Sequence, residues 1–202
     1  MIAALFVEEK GVYCGLQNVD PWGIERDARK YPGPYSVVAH PPCQRWGKYS
    51  EGSPTLKNLK TGDDCGCFAT ALHSVRLWGG VLEHPAESKA WPFFGLMNPW
   101  PAGWTQAGPN EWVCLVDQGH YGHAARKPTW LMVVGPCPPE LIWGPSPQRL
   151  ITKKLEAEGY EKARRRGIIE NMSKKQRQRT PLEFRNLLIS LAESADGWGK
   201  AV

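Results

Sequence analysis

Apolar residues occur in short blocks set off by glycine and proline, and the spacing within each block identifies an element. Met1 to Val7 is an apolar run of strand length, and Gly11 to Leu16 is its predicted hairpin partner across the turn at Glu8 to Gly11. Asp20-Pro21 has the order of a helix start, a side-chain cap followed by proline in the first turn, and predicts a helix through Ile24 to Tyr31. Tyr35 to Ala39 is continuous rather than alternating, the pattern of a strand covered on both faces, and it stops at His40-Pro41-Pro42-Cys43. The polar, Gly-rich stretch from Gln44 to Gly62 predicts a mobile loop of functional length.

Asp63 or Asp64 then caps a predicted helix in which Phe68, Leu72, Val75 and Trp78 recur at helical spacing, and Gly79-Gly80 ends it. Val81-Leu82 opens a second buried strand that stops at Glu83-His84-Pro85. Strand, helix and strand make a βαβ unit, so the two strands are expected to run parallel. Ligands of open parallel sheets bind beyond the carboxyl ends of the strands, which puts Cys43 and Glu83 on one rim. Ala90 to Asn110 has no clear period. Trp112 to Val116 and Thr129 to Val134 read as closing strands around a polar, cationic turn from Asp117 to Pro128. Pro136 to Pro147 reads as a crossover and Gln148 to Arg166 as a helix or polar region. Thr180-Pro181 opens an amphipathic helix through Leu182, Phe184, Leu187, Leu188 and Leu191.

The pattern describes an α/β domain over residues 1–147 and a basic helical segment over residues 148–202 that packs on the same domain. A chain of 202 residues is long enough to enclose one core. No apolar run approaches the ~20 residues of a membrane helix, so a membrane is not an expected partner. Six cysteines at irregular spacings, without a secretory pattern before them, suggest thiols in a cytoplasmic protein. The formal charge of +5 is concentrated near the C-terminus and points to a polyanion. Arg164, Arg165, Arg166, Lys174, Lys175, Arg177 and Arg179 are the candidates to neutralise its phosphates.

The candidate chemistry sits at the two strand ends. Two prolines stiffen the approach to Cys43, because each fixes its own φ and restricts the residue before it. Attack on C6 of a pyrimidine needs such a thiol, together with a group near the ring N3 that disperses developing charge, and Glu83 is placed for that role. On its own, a Pro-Pro-Cys turn fits a small buried residue better than a nucleophile. His40-x-x-Cys43 with Cys65-x-Cys67 supplies four N/S donors but not a recognised zinc spacing, so no metal is expected. The deaminase pattern fails as well, because Arg45-Trp46 follows Cys43 where a second cysteine is needed.

Taken in order, His40-Pro41-Pro42-Cys43, Glu83-His84-Pro85 and Tyr121-Gly122 followed by Arg126-Lys127-Pro128-Thr129 resemble the DNA cytosine-C5 methyltransferases, and the last segment resembles their phage-type relatives. The resemblance spans roughly residues 36 to 135. It implies a reduced Rossmann-like, methyltransferase-type sheet, partly parallel and flanked by helices. It also implies Cys43 as nucleophile, Glu83 as the N3 partner, and substrate contacts from His40, Pro42, Gln118, Tyr121, Arg126 and Lys127. The implied substrate is DNA or a nucleotide, in the cytoplasm of a host if the chain is phage-encoded. S-adenosylmethionine is the implied cofactor, yet the Phe-x-Gly-x-Gly loop that holds it in the family does not occur between Met1 and Tyr35. His84 stands where the family has Asn, and Ala125 where many members have Gln. No variable region is long enough to serve as a separate target-recognition domain. Two rival readings are another base- or nucleotide-modifying activity on the same scaffold and a nucleic-acid-binding module that has lost catalysis.

Overall fold

The computed structural model describes residues 1–47, 50, 60–147 and 178–196. Its centre is a seven-stranded mixed sheet. The strands are β1 (Ile2–Leu5), β2 (Val19–Trp22), β3 (Ser36–Ala39), β4 (Gly80–Pro85), β5 (Thr105–Gly108), β6 (Glu111–Asp117) and β7 (Pro128–Val134), in the spatial order β2-β1-β3-β4-β7-β6-β5. β2, β1, β3 and β4 pair in parallel, and β7, β6 and β5 continue the sheet antiparallel from β4. Among the described residues three α-helices accompany it: α1 (Cys67–Trp78), α2 (Ala90–Phe93) and α3 (Leu182–Ser194).

The continuous apolar blocks are explained by cover on both sides. Successive strand residues point to opposite faces. Ala3, Leu5, Val37, Ala39 and Leu82 pack with Phe68, Ala71, Leu72 and Val75 of α1. Ile2, Ala4, Val38, Val81, Leu131 and Val133 pack with Phe184, Leu188, Leu191 and Ala192 of α3. The result is a three-layer sandwich of helix, sheet and helix, and α3 is an integral layer of it.

The β3-α1-β4 unit has the parallel register expected of it, with Val38 opposite Val81. α1 begins at Cys67, and Asp64 serves its first turn from outside: one carboxylate oxygen accepts from the Gly66 N–H at 2.9 Å and the other from the Phe68 N–H at 2.9 Å.

The first thirty residues depart from expectation. Gly11 to Leu16 is not a hairpin strand but a set of turns, and β1 instead pairs in parallel with β2 and β3. A strand buried on both faces can take a partner on each edge, and the chain after β1 uses its turns to return to the starting side. The predicted helix at Asp20-Pro21 is also absent. Val19–Trp22 is strand β2, and only Ala28–Lys30 forms a short 3₁₀ turn. β2 lies at the sheet edge, where a proline costs no ladder hydrogen bond. The Asp20 carboxylate meets the Trp22 indole N–H at 2.8 Å and the Arg26 guanidinium rather than a helix N-terminus. β5 was not expected; its sequence, TQAG, carries no alternation.

β4 opens on Gly80, paired with Val37 of β3, and its φ is +117°. A Cβ there would lie 2.0 Å from the Val37 carbonyl oxygen. Gly80→Ala is therefore expected to destabilise the fold by about 3 kcal/mol or more, through both φ strain and displacement of β4. Urea denaturation checks this, and a loss below about 1 kcal/mol would contradict so close an approach.

Candidate active site

The sheet reverses its direction of growth between β1 and β3, since β2 lies on one side of β1 and β3 on the other. Open α/β sheets bind ligands beyond the carboxyl ends of strands at such a point. His40 leaves β3 there, and its N–H continues the ladder to the Leu5 carbonyl at 3.0 Å. Its ring then joins a chain of buried polar groups. The Tyr13 hydroxyl lies 2.8 Å from His40 Nε2, and His40 Nδ1 lies 3.0 Å from Glu83 Oε2. Gln118 Nε2 donates to Glu83 Oε1 at 3.1 Å and to Thr129 Oγ1 at 2.9 Å, and the Thr129 hydroxyl donates to the Lys127 carbonyl at 3.0 Å.

Burial pushes the Tyr13 phenol well above its ordinary pKa and the Glu83 charge adds to the effect, against the opposing charge of Arg185. Tyr13 keeps its proton, and its hydroxyl and the Glu83 carboxylate engage the two ring nitrogens of His40. Burial alone would raise the Glu83 pKa. The His40 hydrogen bond and the charge of Lys127 outweigh burial and hold the carboxyl below its ordinary value. An ionised carboxylate is thus fixed at the rim, its side chain 12% exposed. α3 braces the arrangement from behind, where Arg185 Nη1 donates to the Val12 carbonyl at 2.8 Å.

Cys43 is presented by a separate device. The Trp46 N–H closes a turn onto the Cys43 carbonyl at 3.0 Å. The Trp46 ring is buried among Phe68, Phe93 and Phe94, and its indole N–H donates to Asp64 at 2.8 Å. The turn is held at both ends, since the Lys89 N–H also donates to the Trp46 carbonyl at 2.8 Å. The six cysteines form no disulfide. Cys43 lines a cleft of about 130 Å³ whose other walls include His84, Pro85, Ala86 and Ser88.

Glu83 and His84 are consecutive on β4 and point to opposite faces, so Glu83 belongs to the network on the α3 side and His84 to the cleft on the α1 side. His84 is 1% exposed, packed edge-on against Phe68 at 5.1 Å and parallel to Trp91 at 6.4 Å. Burial lowers its pKa to about 4 despite the charges of Glu83 and Asp64. Neither ring nitrogen has a hydrogen-bond partner. The Pro42 carbonyl is near enough to favour a proton on the ring but falls outside hydrogen-bond geometry.

The remaining expected residues divide by task. Gln118 joins Glu83 and His40, and Pro42 leads into the Cys43 turn. Tyr121 packs on Phe184 and its hydroxyl accepts from the Ile142 N–H at 3.1 Å, so it fastens the polar turn to α3. Arg126 donates from Nε to the Ser146 carbonyl at 2.7 Å. Lys127 lends its charge to Glu83, and its Nζ lies 3.5 Å from the carbonyl of Arg179, whose side chain is exposed. His120 and His123 contact the backbone carbonyls of Gly144 and Ala125. Arg164, Arg165, Arg166, Lys174, Lys175 and Arg177 lie outside the described residues, as does the expected helix over 148–166.

Sequence reasoning missed Tyr13, His84 and Asp117. Tyr13 lies in a stretch read as strand, and only its place after β1 could have marked it. Asp117 organises the polar turn by accepting from the N–H groups of Gly119, Lys127 and Ser146 at 3.0, 2.9 and 2.9 Å. These bonds outweigh burial and keep it ionised.

The rim also tests the implied cofactor. No helix follows β1, Phe6 rather than glycine has the positive φ there, and Glu9 reaches across to accept the Glu25 N–H at 3.0 Å. A Cβ on Gly23 would meet that Glu9 carboxylate at 2.1 Å. These residues do not form the glycine-lined, helix-capped cradle that S-adenosylmethionine needs.

Fold and site together define an α/β protein that presents an ionised carboxylate and a thiol at the carboxyl edge of parallel strands. No family model, curated protein or solved structure matches the chain. Among the described residues no helix is long and apolar enough to cross a membrane, and no group of three or more His, Cys, Asp and Glu is arranged to hold a metal ion.

Acid should expose the cost of burying His84. Its folded pKa is depressed, so the unfolded chain binds the proton first, and stability present above pH 6.5 drains away as the pH falls towards 4. Lowering the pKa from 6.5 to about 4 makes folding about 3 kcal/mol less favourable at pH 4 than at neutrality. Glu83, also depressed, acts in a lower window, below the ordinary carboxylate pKa. His84→Phe is expected to flatten the upper window in denaturation curves taken from pH 7 to 4. An unchanged slope would mean that His84 is not the buried titrating group.

Proposed function

We propose that the chain modifies a pyrimidine base of nucleic acid, cytosine in DNA, through a covalent adduct at Cys43, the reaction type of the DNA cytosine-C5 methyltransferases that its segments resemble. The observation that carries this reading is Glu83. A buried carboxylate is expensive to keep ionised, and here three polar side chains and a lysine charge are committed to doing so, one residue before His84, which lines the Cys43 cleft.

The chemistry follows from those two groups. The Cys43 thiolate adds to C6, and the C5=C6 electron pair moves to C5. An ionised Glu83 cannot give N3 a proton, but it stabilises one that N3 takes from water, and that makes C6 the more electrophilic. C5 then captures a proton or another electrophile. Loss of the original C5 hydrogen expels the sulfur, restores the double bond and returns the thiolate. Water supplies the protons taken up at N3 and C5 and receives the C5 hydrogen that leaves, while Cys43 forms and breaks the bond to C6 and Glu83 acts on the ring. A base within a duplex must first leave the stack, at a cost of a few kcal/mol. The basic side chains of residues 164–179 supply phosphate contacts for that strand.

The test is capture of a 5-azacytosine oligonucleotide, in which a ring nitrogen replaces C5, so that C6 is more electrophilic and no carbon-bound hydrogen is there to be lost. Wild type should form a denaturant-stable adduct mapped to Cys43, and Cys43→Ala none. Glu83→Gln should form it about 10²-fold more slowly with nucleic-acid affinity little changed. An adduct that persists in Cys43→Ala, or none in wild type, would refute the reaction.

A further inference from the structure

We propose that His84 recognises the substrate in the cleft beside Cys43, its imidazole hydrogen-bonding the edge of a neutral planar heterocycle. The assignment rests on the reaction above for the identity of that ring as a pyrimidine, and on geometry for everything else.

Three observations carry it. His84 is 99% removed from solvent and neither ring nitrogen is paired, although buried polar groups are normally satisfied. It lines the same cleft as Cys43, while Glu83 does not. Its plane is fixed by Phe68 and Trp91, so the ring is aimed rather than merely enclosed. The Pro42 carbonyl serves at most one nitrogen, which leaves the other for a ligand.

The chemistry narrows what that ligand is. A neutral imidazole offers one N–H donor and one acceptor in a plane, which suits a carbonyl oxygen or an amine on the edge of a base and suits a phosphate poorly. Imidazolium would suit the phosphate, and the apolar walls oppose its formation. Glu87 adds a sign of local adaptation on the cleft wall, since it holds φ at +62°, a conformation that non-glycine residues adopt at a cost. The division of labour is then distinct for consecutive residues of β4: Glu83 acts on reactivity, and His84 acts on which ring is held.

The measurement uses labelled single-stranded oligonucleotides that differ only in one nucleotide, cytosine or an abasic site, bound to the Cys43→Ala protein so that no covalent step intervenes. Cytosine should be preferred by about tenfold or more. Adding His84→Phe should bring the ratio near one, leave affinity for the abasic strand unchanged and leave the melting temperature unchanged or higher, because an unpaired polar group has been removed from an apolar site. Adding His84→Asn, which keeps a donor and an acceptor, should restore part of the preference. No preference for cytosine, or one that survives His84→Phe, overturns the assignment. If His84→Phe does not fold, an undiminished preference in His84→Asn with the donor and acceptor shortened away from the ring overturns it instead. Capture of 5-azacytosine by wild type is read in parallel. Capture without a His84-dependent preference refutes only the recognition role, and preference without capture refutes only the reaction.

Discussion

The rim of this sheet depends on one carboxylate. Glu83 sits where four parallel strands end, and keeping its charge there requires hydrogen bonds from His40 and Gln118, the proton of Tyr13 behind His40, and the nearby lysine. Each partner comes from a different part of the chain: the connection after β1, the end of β3, the turn after β6 and the start of β7. The hydrogen-bonded carboxylate therefore specifies how these segments meet, in addition to any chemistry it performs. An apolar residue at position 83 would remove the desolvation cost and leave His40, Gln118 and Tyr13 without a common partner.

The thiol is positioned by different forces. Trp46 fills an aromatic pocket, Asp64 ties its indole to the first turn of α1, and the Cys43 turn follows from that anchor. Packing fixes the nucleophile and hydrogen bonding fixes the carboxylate, and β4 separates the two by the pleat of a single strand. The alternation that buries Val81 and Leu82 on opposite faces also sends Glu83 and His84 to opposite sides of the rim. Two adjacent polar residues can thus serve one ligand from two directions.

Much of this was legible in the sequence. β3, α1, β4, β6, β7 and α3 could be read because each is a block whose apolar period matches the cover it receives. The shared rim of His40, Cys43 and Glu83 followed from the βαβ spacing alone. Residues 11–31 could not be read in the same way: Asp20-Pro21 has helix-start chemistry, and only pairing with β1 makes it an edge strand. Nor does any local pattern reveal that Tyr13 reaches His40, that Arg126 is used by the Ser146 carbonyl, or which face of β4 Glu83 takes, because these are contacts between distant segments. The S-adenosylmethionine implied by resemblance finds no cradle in the residues beyond β1, where neither a glycine turn nor a helix follows the strand.

The reaction can be observed on an unmodified base without supplying any group donor, because addition at C6 makes the C5 hydrogen exchangeable. The decisive measurement is release of tritium from [5-³H]cytosine in DNA incubated with the full chain. Wild type should release it, Cys43→Ala should release none, and Glu83→Gln should release it slowly. Release that is absent in wild type, or equal in wild type and Cys43→Ala, would contradict the account.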